Sequence, residues 1–386
     1  MNEISVGVIT APGLPEKILE DIMESLKELA GTSIDDGITW EIDYQSDPLA
    51  SSSEYIDNIF SKAASIKENN SWDMAIAITD LPSISSKKVV LSEFDYNDKI
   101  SLISMPALGV FRNKNKLKTL LTHHMDVLYD NHETEETEKV QPSFINRISE
   151  VESGEDDTYR YVIKSTVSGW YHLVTGMTYL NEPWTEYGNF KTIIGLAFAT
   201  GTYISIFRTP WELSLDYSLW RFLLLMFIAV FGMVGWLIYT HNLWERTSTK
   251  NQPAYRRLYN LTTLLTLTGM TLMNYFVVSV LLTISILLFV PMGLFETWTD
   301  VDSDVKWVDY LNLIWFTASL GILAGALGST VEKEENIRNV TYSYRQWYRY
   351  RQLEEEEKKE KEASKADEDE EYAGEKQTHD ESEEGE

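Results

Sequence analysis

The chain has 386 residues, a formal net charge of −27 and no cysteine. The absence of cysteine excludes disulfides, thiolate catalysis and cysteine-ligated zinc. The acidic excess argues against nucleic-acid binding, which needs a basic surface, and is typical of a highly soluble domain.

Residues 1–131 alternate between strand and helix patterns, which predicts an α/β domain with a mostly parallel sheet and flanking helices. The predicted helices end near Leu29, span Ser52–Asn69 and span Lys116–Tyr129. The predicted strands are Ser5–Thr10, Trp40–Gln45, Asp73–Thr79, Val89–Phe94 and Ser101–Met105. No signal peptide precedes the first strand, which favours a cytoplasmic domain.

Ligands of such sheets bind beyond the carboxyl ends of the strands, where this chain has three turn motifs. They are Ala11-Pro-Gly-Leu14, Thr79-Asp-Leu-Pro82 and Pro106-Ala-Leu-Gly109. Asp80 is the one acidic side chain placed directly at a strand end. The alternative is that these residues only shape turns, since Asp and Thr bond to nearby backbone and Pro and Gly fix turn geometry. The candidate ligand-binding residues are Pro12, Gly13, Thr79, Asp80, Pro82, Pro106 and Gly109.

Motifs for catalysis, cofactors or metals are absent from the sequence. There is no glycine-rich dinucleotide loop, phosphate loop or Gly-x-Ser-x-Gly elbow. The six histidines show no zinc-ligand spacing. Adjacent His123 and His124 face different sides of a helix, so we expect solvated surface rather than a metal site. The sequence therefore predicts no catalytic residue, no metal and no cofactor.

Residues 132–168 form a predicted charged linker, because NHETEETEK and a second acidic run from Glu150 to Asp157 lie within it. Residues 169–190 are predicted as an amphipathic helix that ends at Pro183-Trp184 and lies at the membrane interface. The linker and helix connect the soluble part of the chain to an apolar part.

Residues 191–331 are predicted as a transmembrane domain of about four helices, with spans 192–207, 222–239, 261–290 and 310–331. The third span is about 45 Å long at 1.5 Å per residue, so it must tilt or project from the bilayer. No Asp, Glu, Lys, Arg or His sits deep in any span, which weakens the case for ion-coupled transport.

The loop charges predict the orientation. Arg246, Lys250, Arg256 and Arg257 follow the second span, whereas the loop Glu296–Asp309 is acidic. Basic loops stay in the cytoplasm, so we expect a multi-pass protein of the plasma membrane with both termini inside. The lipid bilayer is therefore a predicted partner of the chain.

Small residues repeat along two spans, where helix backbones can approach closely. Packing within one chain is the favoured interpretation, and homo-oligomerisation is the alternative. The residues are Ala197, Gly201, Gly321, Gly325 and Gly328.

Residues 332–352 mix Arg with Tyr and Trp and are predicted to form a basic-aromatic helix along the inner membrane surface. Residues 353–386 are low-complexity and acidic and are predicted to be disordered.

Seven segments together resemble a family of uncharacterised multi-span membrane proteins of Gram-positive bacteria, among them actinobacteria and lactobacilli. They are VGVITAPGLPE, WDMAIAITDLP, SMPALG, TGMTYLNEPW, HNLWER, LYNLTTLLTL and GALGSTVEKEENIRNVTYSYRQ. The resemblance implies a cytoplasmic α/β domain on a multi-span membrane domain and carries no activity.

We therefore expect a non-enzymatic membrane protein whose cytoplasmic domain senses a small-molecule ligand or a partner and biases the bundle. Two alternatives stay open at this point. One is a membrane-tethered enzyme that uses Asp80 in the strand-end crevice, and the other is an oligomeric channel or transporter.

Overall fold

The computed structural model describes residues 2–33, 38–47, 49, 56–129, 149–153, 158–185, 188, 190–245, 253–299, 306–331, 337–338, 341 and 344. The predicted acidic tail 353–386 lies outside the described residues, and so does nearly all of the predicted helix 332–352.

A mixed sheet with flanking helices forms the N-terminal half, which confirms the predicted α/β class. The expectation of a mostly parallel sheet is wrong, because three of the pairings between described strands are parallel and four are antiparallel. Its strands are β1 Asn2–Thr10, β2 Ile38–Ser46, β3 Met74–Thr79, β4 Ile84–Ser85, β5 Lys88–Asp95, β6 Ile100–Ser104, β7 Ser149–Ser153 and β8 Thr158–Ile163. The order is β2-β1-β3-β6-β5-β8-β7, with β4 beside β5. Strands β2, β1, β3 and β6 are parallel, whereas β5, β8 and β7 join antiparallel.

The helices of this half are α1 Leu14–Ser33, α2 Ile56–Asn69, α3 Asn113–Tyr129 and α4 Thr166–Leu180. A short 3-10 turn, Met105–Leu108, follows β6. Strand β3 is buried throughout, as the continuous apolar run Met74–Thr79 requires for a central strand covered on both faces. The sheet also extends into residues predicted as linker, because β7 and β8 continue it beyond β5.

The C-terminal half is helical. Its helices are α5 Lys191–Ser205, α6 Arg208–Asp216, α7 Leu219–Thr240, α8 Pro253–Phe289, α9 Met292–Thr299 and α10 Trp307–Gly328. Among the described residues three helices, α7, α8 and α10, are long and apolar enough to cross a membrane. Helix α5 has only 15 residues, about 22 Å, which is shorter than a bilayer core of about 30 Å.

Two hydrophobic cores hold the chain together. One lies around the sheet, and the other lies between α5, α7, α8 and α10. Helix α8 belongs to both: Tyr255, Leu258 and Tyr259 pack in the first core, whereas Leu267 and Ile286 pack in the second. The α/β half is therefore fixed to the bundle by a helix that the two halves share.

Candidate functional site

The carboxyl ends of β1, β3 and β6 lie side by side and bring the three predicted turn motifs together. The backbone N–H of Ala11 donates to the Ile78 carbonyl at 2.9 Å, which ties the first turn to the second. The Ser104 hydroxyl donates to the Leu81 carbonyl at 2.8 Å, which ties the third turn to the second. These parallel neighbours form one continuous edge, which we call the strand-end edge.

The polar residues of this edge are buried. Thr79 is 1 % exposed and Asp80 is 7 % exposed. The Thr79 hydroxyl accepts the N–H of Leu81 at 3.0 Å, so this side chain shapes the turn after β3. Pro82, Pro106 and Gly109 are also buried, whereas Pro12 and Gly13 are half-buried. Access from solvent is therefore greatest at the Pro12–Gly13 turn.

Helix α4 covers the strand-end edge. Gly176 lies against the backbone of Pro106 so closely that any side chain at position 176 would overlap the Pro106 carbonyl. Gly109, with φ of +74°, lies against His172, and Gly169 lies against Val89. A helix with glycine at positions 169 and 176 can approach the edge closely, and a ligand that enters between α4 and the edge has to displace the helix.

The contacts along α4 give its direction over the sheet. Its N-terminal part touches Val89 at the start of β5, and its middle touches Pro106 after β6. Glu182, two residues past its end, pairs with Lys17 of α1 at 3.6 Å. Helix α4 therefore runs across the strand ends from β5 towards β1.

Helix α8 packs against α4 and runs in the same direction. The Thr262 hydroxyl donates to the Met177 sulfur at 3.7 Å, and the Asn181 amide donates to the Thr266 hydroxyl at 3.2 Å. Both partners advance by four residues, so the two helices are parallel at this contact. In addition, the N–H of Ile84 donates to the Tyr255 hydroxyl at 3.2 Å. The edge is thus connected to a membrane-type helix both through α4 and directly.

His123 and His124 are buried, so the expectation of a solvated surface is wrong. His124 is fully buried, and its Nδ1 lies 2.9 Å from the Ser101 hydroxyl, while the His123 Nε2 lies 2.9 Å from the Tyr161 hydroxyl. Adjacent residues do point in different directions on α3, but both rings reach the same sheet, His124 at β6 and His123 at β8. Burial, and less strongly the neighbouring His123, hold the pKa of His124 well below its usual value.

The described residues contain no group of three His, Asp or Glu side chains that could hold a metal ion. Among the described residues, Asp80 is the carboxylate that directly follows β3, with hydroxyl and backbone groups around it. A second carboxylate, Asp47, lies beside the end of β1, where its N–H donates to the Thr10 carbonyl at 2.9 Å and its side chain pairs with Lys62 at 2.8 Å. Such a set can bind a ligand by hydrogen bonds. On α4, which covers the edge, the Ser168 hydroxyl lies 3.3 Å from the Nδ1 of His172, and this nitrogen also lies 2.7 Å from the Ser168 carbonyl oxygen.

The small residues of the bundle lie at contacts within the chain. A Cβ added to Gly321 would lie 2.5 Å from the Ala197 carbonyl oxygen, and one added to Gly325 would lie 3.0 Å from that of Ile193. Gly201 faces Leu282, and Gly328 faces Leu196. All five predicted packing residues therefore sit where α5 meets α8 or α10.

No family model matches the sequence, and neither the curated proteins nor the solved structures show a significant similarity to it.

Proposed function

We propose that this chain is a multi-pass protein of the plasma membrane whose α/β domain senses a small-molecule ligand or a partner in the cytoplasm. Binding in the α/β domain then changes the arrangement of the helices in the bundle. The observation that carries the proposal is α8, one uninterrupted helix with Tyr255 in the core of the sheet and Ile286 in the core of the bundle. A displacement at its first turns moves the whole helix as a rod.

In this proposal, the strand-end edge is the site where the ligand or partner binds. Helix α4 lies on the turns that hold Pro106 and Gly109 and packs on α8 through Met177 and Asn181. A ligand that contacts Asp80 or the Pro12–Gly13 turn would shift α4, and the shift would reach the bundle through the contact of α4 with α8. In this proposal, the buried polar residues of the edge recognise the ligand, and binding is coupled to the shift of α4.

The proposal includes four membrane crossings. They are the three long apolar helices α7, α8 and α10 and, before them in the chain, the shorter helix α5. Helix α5 begins beside Gly328, at the C-terminal end of α10. Near the C-terminal end of α5, the ring of Trp211 in α6 stacks on the ring of Phe295 in α9. The 15 residues of α5 thus extend along most of α10, and α6 follows at the far end. Four crossings return the chain to the side of the α/β domain, where exposed Arg256 and Arg257 favour the cytoplasm.

The test uses the full chain, purified in detergent, against a panel of nucleotides, amino acids and divalent cations. Hydrogen exchange is then measured with each compound that raises the melting temperature. We expect a binder to slow exchange in the turns 79–84 and 105–109 and to change exchange in α4 and α8. The proposal fails if no compound binds, or if a binder alters the turns and leaves both helices unchanged.

A further inference from the structure

Asn274 lies in the core of the bundle with an amide that has no hydrogen-bond partner in the described part of the chain. The residue is 1 % exposed, and neither its Oδ1 nor its Nδ2 is paired with a protein group. A buried amide without partners costs free energy, and the cost is not reduced by lipid, which offers no hydrogen bonds. An ordered water or ion that binds the amide is one recurring explanation for such a group in native structures.

A cavity opens on the same face of α8, nearer to the α/β domain. Its volume is about 370 Å³, and its lining includes Thr263, Trp244, Glu245 and Arg338. Thr263 precedes Asn274 by eleven residues, about three helical turns, which places the two side chains on one face of the helix. The cavity is therefore in line with the unpaired amide.

The wall of this cavity is fixed by a side-chain clamp. The Asn260 Oδ1 accepts the Glu245 N–H at 2.8 Å, and its Nδ2 donates to the Glu245 carbonyl at 3.1 Å. The turn that ends in Glu245 is thus tied to α8 one turn before Thr263. The opening is part of the packed structure of this end of the bundle.

Two residues, Leu267 and Met270, separate Thr263 from Asn274 on this face of α8. Both are buried in the bundle. Met270 has a flexible, unbranched side chain that changes rotamer at low cost. Passage of water between the cavity and Asn274 then requires rotamer changes of both Leu267 and Met270.

We propose that Asn274 binds water inside the bundle and that this water enters from the cavity at Thr263. The amide donates and accepts hydrogen bonds, as water does, and α8 carries no charged residue from Leu258 to Phe289. A neutral site suits water better than an ion, which would need charged or multiple oxygen ligands. The inference goes beyond the sensing function and does not depend on it.

The absence of native cysteine allows a direct test in the full chain. Met270→Cys places a thiol next to the proposed water, and Leu272→Cys places one at similar depth on the outer face, where Leu272 is 48 % exposed towards lipid. Both variants are reconstituted and treated with water-soluble aminoethyl methanethiosulfonate, which reacts with the hydrated thiolate. Modification is followed by the mass of the intact chain.

We expect Met270→Cys to react at least about tenfold faster than Leu272→Cys, since only the former meets water. Adding Asn274→Leu to Met270→Cys should remove most of this difference, because an apolar side chain does not retain water. Equal rates for the two single variants overturn the proposal. So does a rate of Met270→Cys that Asn274→Leu leaves unchanged.

A second measurement needs no substitution near the site. Wild-type protein labelled with ¹⁵N at asparagine is examined by NMR, with Asn274→Leu used only to assign the signal. We expect magnetisation transfer from water to the Asn274 side-chain amide. Absence of this transfer, while Asn242 at the exposed turn shows it, contradicts the proposal.

Discussion

The hydroxyl of Tyr255 accepts the backbone N–H of Ile84 at 3.2 Å, although the two residues are 171 positions apart in the chain. Ile84 begins the short strand β4 just after the strand-end turn, and Tyr255 lies in the first turn of α8. Tyr255 is 4 % exposed and packs in the core of the sheet. The bond joins the candidate sensing edge to the helix that continues into the bundle.

Tyr255→Phe removes this bond and keeps the ring. The N–H of Ile84 then lacks its acceptor, which costs about 1 kcal/mol. We expect faster hydrogen exchange in residues 80–90 and little change in residues 270–289, measured by mass spectrometry on the full chain. Tyr203→Phe is the matched control, because Tyr203 is 64 % exposed on the outer face of α5. Unchanged exchange at 80–90 would show that the bond does not hold the edge.

Gly176→Ala tests whether α4 has to lie in contact with the strand-end edge. The new methyl group would overlap the Pro106 carbonyl, so α4 must move or the edge must distort. Overpacking of this kind costs about 1–3 kcal/mol. We expect a lower melting temperature and faster exchange in residues 105–109. Gly31→Ala serves as the control, since nothing lies within 4 Å of the added carbon there, and should be neutral or stabilising.

The pattern of the sequence was sufficient to predict the central part of the sheet. The apolar runs Val6–Thr10 and Met74–Thr79 are separated by helical segments, and a right-handed crossover between parallel strands follows from that order. This order also brought the three turn motifs to one edge. Strand β7 was missed because Ser149–Ser153 is mostly polar and overlaps an acidic stretch, so its pairing depends on contacts distant in sequence. Strand β8, Thr158–Ile163, was also missed, although its aromatic and β-branched residues favour a strand.

The cover over the candidate site could not be read from the sequence. Gly169 and Gly176 of α4 are seven residues apart, a spacing equally compatible with a helix on lipid or on protein. Only the tertiary structure shows that Pro106 fills the position where a side chain would stand. The length of the third apolar stretch predicts a helix that tilts or projects from the bilayer, and α8 is longer than that stretch, because it begins at Pro253.

Gly321→Ala tests the contact of α5 with α10. The added carbon would lie 2.5 Å from the Ala197 carbonyl oxygen, and backbone atoms cannot give way as a flexible side chain can. We expect a loss of about 1–3 kcal/mol in bundle stability, seen as a lower melting temperature in detergent. Gly235→Ala on α7 has open space around the added carbon and should leave the melting temperature unchanged. A change in oligomeric state with preserved stability would instead place Gly321 between chains.

We expect His124 to make the stability of the α/β domain sensitive to pH. Its pKa in the folded chain lies well below the value of about 6.5 expected in the unfolded chain. The contribution of the neutral imidazole to the free energy of unfolding is fully present above about pH 6.5. It is lost as the pH falls towards the pKa of the folded chain, by up to about 1.4 kcal/mol per pH unit. Groups that face the histidine pair include Ser101, Phe94 and Tyr161. Burial raises the pKa of Tyr161, so this phenol stays neutral in acid.

The measurement is chemical denaturation of the full chain at about pH 7.5 and about pH 5, followed by a signal of the α/β domain. His124→Leu should reduce the difference in unfolding free energy between the two pH values, because the unfolded chain then has one fewer site that takes up a proton. His172→Gln is the control, since His172 is half-buried on α4 and bonds to the Ser168 carbonyl at 2.7 Å. If His124→Leu leaves the pH dependence unchanged, the acid sensitivity arises from the carboxylates of the domain instead.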